Sequence, residues 1–105
     1  MNAYDLQKEI DLISLQIIKK YRPQKIILFG SAAQRKFTPD SDLDFFIIKD
    51  DPRPGPDRIS EVMGMFTHNI ATDVLIYTPT EVEKCLKWGD PFVKEIINTG
   101  RVLYG

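Results

Sequence analysis

Three short apolar runs constrain this chain more than any other feature. Residues 25–29 read Lys-Ile-Ile-Leu-Phe, residues 42–49 centre on Phe45-Phe46-Ile47-Ile48, and residues 72–77 read Thr-Asp-Val-Leu-Ile-Tyr. Each is rich in β-branched or aromatic side chains, which suit a pleated surface. From Ile26 to Phe29 the first run is apolar at successive positions and it closes on Gly30, so it offers no polar face to water and predicts a strand covered on both sides. The cover has to come from the intervening segments, and these carry helical spacing. Leu6, Ile10, Ile13 and Ile17 fall at steps of four, three and four, predicting an amphipathic helix that runs to about Tyr21 and stops at Arg22-Pro23. Ile59, Val62, Met63, Phe66 and Ile70 repeat that pattern ahead of the third strand.

Local signals complete the order of elements. Residues 50–56 hold three prolines and a glycine, which cannot continue a sheet ladder, and predict a surface loop rather than a domain linker. Thr78-Pro79-Thr80-Glu81 supplies a capping box with proline at the first helical position; Asp90-Pro91 starts another helix, Gly100 is placed to end it, and residues 101–104 form a short last strand. The polar stretch 31–41 has room for one short helix. Helices alternating with apolar strands predict an α/β fold, a small mixed sheet flanked by helices. The expected core is Ile10, Ile17, Ile27, Phe46, Val62, Phe66 and Leu75, and Trp88, Phe92, Val93 and Tyr104 read as core more readily than as interface.

With 105 residues, 43% of them apolar, one domain spanning 1–105 is expected. A formal net charge of −1 argues against a sequence-wide grip on nucleic acid. No apolar stretch approaches the ~20 residues of a membrane helix. The first nine residues carry acids and nothing resembling a signal peptide, so a cytoplasmic location is expected. Cys85 is the only cysteine and reads as a small buried hydrophobe; His68, the only histidine, reads as a surface residue at a helix end.

The chemistry is concentrated in Gly30-Ser31, ten further residues, then Asp42-Leu43-Asp44. Along a strand side chains alternate, so Asp42 and Asp44 are expected on one face, held rigidly by the apolar run that follows. Two carboxylates about 4 Å apart repel by about 1 kcal/mol in water and by several times more where water is partly excluded. Either one takes up a proton or a divalent cation is bound, and oxygen ligands near phosphate favour magnesium. Taken alone, an Asp-x-Asp is more often a polar turn entering a strand. Gly30-Ser31 shifts the balance, because glycine allows backbone to approach a ligand closely and serine offers a hydroxyl and an amide to phosphate. Asp73 adds a third acid near the start of the third apolar run.

These residues resemble the nucleotidyltransferase superfamily typified by DNA polymerase beta, and within it the minimal nucleotidyltransferase (MNT) branch. The resemblance implies the nucleotidyltransferase fold and phosphoryl transfer with two Mg²⁺ ions. Asp42 and Asp44 would hold both ions, Asp73 would join at one and accept a proton, and Gly30 and Ser31 would hold the triphosphate, ATP by expectation. Where such proteins often carry a basic residue this chain has Gln34, leaving Arg35 or Lys36 to contact phosphate. The resemblance further implies a HEPN-domain toxin as partner, neutralised by transfer of AMP onto one of its tyrosines. Two other readings stay open: an antitoxin that acts by binding alone, and one subunit of an enzyme modifying a small molecule such as an antibiotic. An oligomer is compatible with all three.

Overall fold

The computed structural model describes residues 3–34 and 42–105. Strand β1 (Lys25–Phe29) shows why the apolar runs need two helical layers. Ile26 and Leu28 pack into one buried cluster while Ile27, between them, packs into another, and all three are buried. Strand β2 (Leu43–Ile48) alternates the same way: Leu43, Phe45 and Ile47 join the first cluster, Phe46 and Ile48 the second. β1 and β2 pair antiparallel, β3 (Thr72–Tyr77) pairs parallel with β2, and β4 (Arg101–Tyr104) pairs antiparallel with β1, in the order β3-β2-β1-β4. The sheet is mixed, as expected.

Helix α1 (Ala3–Tyr21) covers the first face with Ile10, Ile13, Ile17 and Tyr21, and α2 (Gly55–Met63) joins it there through Val62. Helices α3 (Pro79–Trp88) and α4 (Pro91–Thr99) cover the second face with Val82, Val93 and Ile96. Each buried aliphatic side chain contributes about 1.5–3 kcal/mol. The helix starts follow the local chemistry. Thr78 Oγ1 accepts from Glu81 N while Glu81 returns to Thr78 N, and Asp90 Oδ1 accepts from Phe92 N and Val93 N.

Several expectations need correction. α2 ends at Met63, capped by Gly64, so the spacing through Ile70 does not mark a longer helix; Phe66 still reaches the first cluster from the loop beyond. His68 is exposed in that loop rather than at a helix end. Trp88, Phe92 and Tyr104 are not core: they are 78%, 46% and 41% exposed, and of that group only Val93 is buried. The reason is positional, since Trp88 lies in the last turn of α3, Phe92 in the first turn of α4, and β4 is an edge strand. Leu75 and Cys85 are only half-buried against the second cluster. No helix among the described residues is long and apolar enough to cross a membrane.

The proline-rich loop expected over 50–56 stops at Pro54, since Gly55 and Pro56 open α2, and one of its acids is buried. Asp51 is 4% exposed and accepts from the Tyr21 hydroxyl at 2.6 Å and from Arg53 N, Nε and Nη2 at 3.1, 3.0 and 2.7 Å. Arg53 also pairs with Glu61 of α2. The loop is thereby tied to the ends of both helices on the first face. The hydrogen bonds from Arg53, helped by that from Tyr21, hold the Asp51 carboxyl well below the usual carboxylate range against the opposing effect of burial. A carboxyl depressed on folding contributes stability above its unfolded pKa of about 4 and loses it as pH falls below. Asp51→Ala, which leaves the Tyr21 hydroxyl without its acceptor, should cost roughly 1–3 kcal/mol. In urea titrations between pH 7 and pH 3, wild-type stability should fall more steeply than that of Asp51→Asn; parallel profiles would remove this network from the account.

Candidate active site

The sheet topology brings three separate chain segments to one edge. β1 and β2 run antiparallel, so the C-terminal end of β1 meets the N-terminal end of β2, and β3, parallel to β2, starts at that same end. Phe29 is registered with Asp44, and Asp44 with Asp73. Asp44 alternates with Leu43 and Phe45, and Asp73 with Thr72 and Val74, so both acids lie on the sheet face that α3 and α4 cover. Neighbouring strands stand about 4.8 Å apart, which makes paired side chains on one face direct neighbours.

The start of β3 is held in register by several bonds. Leu43 N donates to Ala71 O at 2.9 Å, and the Thr72 hydroxyl donates to Ile70 O at 2.9 Å. Glu9 of α1 is buried and accepts from Asn69 N at 2.6 Å, fastening the loop that leads into β3. Glu9 was missed as a positioning residue in the sequence, although the signal was there: an acid three residues after Leu6 and four before Ile13 sits within the apolar stripe of α1.

β2 starts one residue later and stops one earlier than the sequence suggested, so Asp42 precedes the strand and the pleat does not set its direction. It is exposed, as is Asp73, while Asp44 is half-buried. Burial raises the Asp44 carboxyl above the ordinary carboxylate range, and the negative charges of Asp73 and then Asp42 raise it further. The charges of Asp73 and Asp42 therefore both act on Asp44. Among the described residues no three His, Cys, Asp or Glu side chains form a metal-binding cluster.

Gly30 and Ser31 follow β1 directly. Gly30 has φ +76°, in the left-handed region, and a Cβ placed there would lie 2.5 Å from Asp44 Oδ2. Only glycine lets the chain turn here while the Asp44 carboxylate sits against the backbone. Beyond it Ala32 is buried in the first cluster, Ser31 is half-buried, and Gln34 N donates to Gly30 O at 3.3 Å, closing one helical turn. Arg35, expected to contact phosphate, lies outside the described residues, as does Lys36.

A family model described as polymerase beta, nucleotidyltransferase, matches residues 13–105. The chain belongs to the polymerase beta nucleotidyltransferase family. Comparison with curated proteins and with solved structures returned no match. The general chemistry of this nucleotidyltransferase is nucleotidyl transfer, and the α/β fold with its four-stranded mixed sheet accords with that family.

Gly30→Ala should destabilise the nucleotidyltransferase by about 1–2 kcal/mol through its left-handed backbone, and should displace the Asp44 carboxylate as well. Gly64→Ala is the matched control: φ is −81° and the nearest atom to an added Cβ is 3.5 Å away, so stability should hold within about 0.5 kcal/mol or rise. Denaturant titrations of both variants check this, and equal losses would remove the steric argument.

Proposed function

We propose that this nucleotidyltransferase moves AMP from ATP onto a hydroxyl acceptor, a tyrosine of a HEPN-domain partner, and so acts as an antitoxin. The observation that carries the reading is the meeting of Asp44 and Asp73 across β2 and β3, with Asp42 one residue ahead of the strand and Gly30 against Asp44. Asp44 is half-buried and its carboxyl is raised by burial and by the negative charges of Asp73 and Asp42, so its charged form is unfavourable there unless a cation joins it.

The donor set fits Mg²⁺, a hard ion that binds through one or two carboxylates and completes its shell with water and phosphate oxygens, so no all-protein cage is required. Bound there, Mg²⁺ would supply charge neutralisation at the phosphoryl oxygens. Asp42 and Asp44 are its proposed holders, with Asp73 beside them. The Gly30 and Ser31 backbone and the Ser31 hydroxyl orient the triphosphate, with Arg35 as a further phosphate contact. Asp73 takes the proton of the attacking hydroxyl as its oxygen bonds to the α-phosphorus. The bond from that phosphorus to the bridging oxygen breaks, and pyrophosphate leaves with that electron pair. An acceptor held by a partner accords with the exposure of Trp88 and Leu86 on α3, since large apolar side chains left in water are common at contacts.

Asp42→Ala and Asp44→Ala should each reduce transfer at least a hundredfold while circular dichroism and unfolding midpoint stay close to wild type. Near-wild-type transfer by both variants would sink the assignment. Asp73→Asn should lower turnover far more than ATP affinity, and a variant with weakened affinity but normal turnover at saturation would contradict its role. With labelled ATP, Mg²⁺ and a HEPN-domain protein encoded beside it, label should accumulate on the partner, one AMP by intact mass, as toxicity falls. Neutralisation without label would favour inhibition by binding alone.

A further inference from the structure

Next to Gly30 lies a cleft of about 130 Å³ lined by Phe29, Gly30, Gln34, Phe92, Glu95, Ile96 and Thr99. Its α4 wall is a single helical stripe, since Phe92, Glu95, Ile96 and Thr99 fall at steps of three, one and three. Phe92 meets Phe29 edge to face, with ring centroids 5.9 Å apart, and remains 46% exposed, so ring surface is left free at the cleft. Gln34 and Glu95, both exposed, bring polar groups to the same cleft. The Thr99 hydroxyl donates to Glu95 O at 2.8 Å, which leaves its oxygen able to accept.

The geometry points to this cleft as the base-binding subsite of the nucleotide, taking a base that carries an exocyclic amino group. The inference rests on the nucleotide-transfer reading of the same sheet edge and adds to it the part of the substrate that is not phosphate. An aromatic ring with free surface stacks on any base. A carboxylate only accepts hydrogen bonds, so Glu95 favours an amino group over a ring edge without one, and the Gln34 amide can donate to a ring nitrogen. The charge of Glu95 also repels phosphate, which leaves the uncharged end of a nucleotide as the part this cleft admits. Gly30 lines the cleft and also abuts Asp44, so one ligand can reach both.

Calorimetric titration of the full chain with Mg²⁺ separates the two readings, using ATP, inorganic tripolyphosphate, and purine riboside triphosphate, which lacks the amino group. Wild type should bind ATP more tightly than either. Phe92→Ala should weaken ATP roughly tenfold and leave tripolyphosphate unchanged, as loss of one stacking platform requires. Glu95→Gln, at an exposed position that does not threaten folding, should narrow the preference for ATP over purine riboside triphosphate. If ATP and tripolyphosphate both bind and neither variant alters their ratio, the base lies elsewhere and the inference fails while nucleotide transfer stands. If wild type binds no triphosphate at all, the transfer reading fails and takes the subsite with it.

Discussion

The burial of β1 and β2 on both faces is the constraint on which the rest of this nucleotidyltransferase depends. Strands with apolar side chains on both sides have to be covered twice, which sets α1 and α2 against one face and α3 and α4 against the other. They are also the interior strands of the sheet, each hydrogen-bonded to a neighbour on either side. A carboxylate at the end of such a strand inherits its rigidity. Asp44 is held by the packing of Phe45, Phe46 and Ile47, all fully buried, rather than by a flexible loop of its own.

The two ends of the sheet handle charge in opposite ways. At the end where β2 and β3 finish, acids meet guanidinium groups: Asp51 and Glu61 pair with Arg53, and Glu81 with Arg58. Arg58 is itself buried and donates to Ile76 O of β3, so one side chain links α2, an edge strand and α3. The result is a depressed carboxyl at Asp51 and another at Glu81, where the Arg58 hydrogen bond is the leading cause. At the opposite end Asp44 is raised by burial, by Asp73 and by Asp42. Stabilising pairs and mutually repelling acids are thus separated by the length of a strand.

Much of the fold was legible in local chemistry. The stripe Leu6, Ile10, Ile13 and Ile17, the Thr78 to Glu81 capping box and the Asp90-Pro91 start each act over a few residues, and each stands where the spacing put it. Periodicity misled where it carried on past a breaker. Phe66 keeps helical spacing from Val62, yet Gly64 ends α2 and Phe66 reaches the core by a different backbone route. Hydrophobicity misled at Trp88 and Tyr104, because exposure depends on whether anything is packed over an element's end or edge, and composition does not contain that information.

What the sequence determined by itself was the set of elements and the presence of acids and a glycine at strand ends, since capping, alternation and turn chemistry are local. Only the tertiary structure decided that Phe29, Asp44 and Asp73 share one face, that Gly30 abuts Asp44, and that Gln34 meets Glu95 across one cleft. Those relations join residues up to 61 positions apart, from Gln34 to Glu95. They follow from strand order, direction and register, which are set by how the whole apolar surface is buried at once and not by any short stretch of chain.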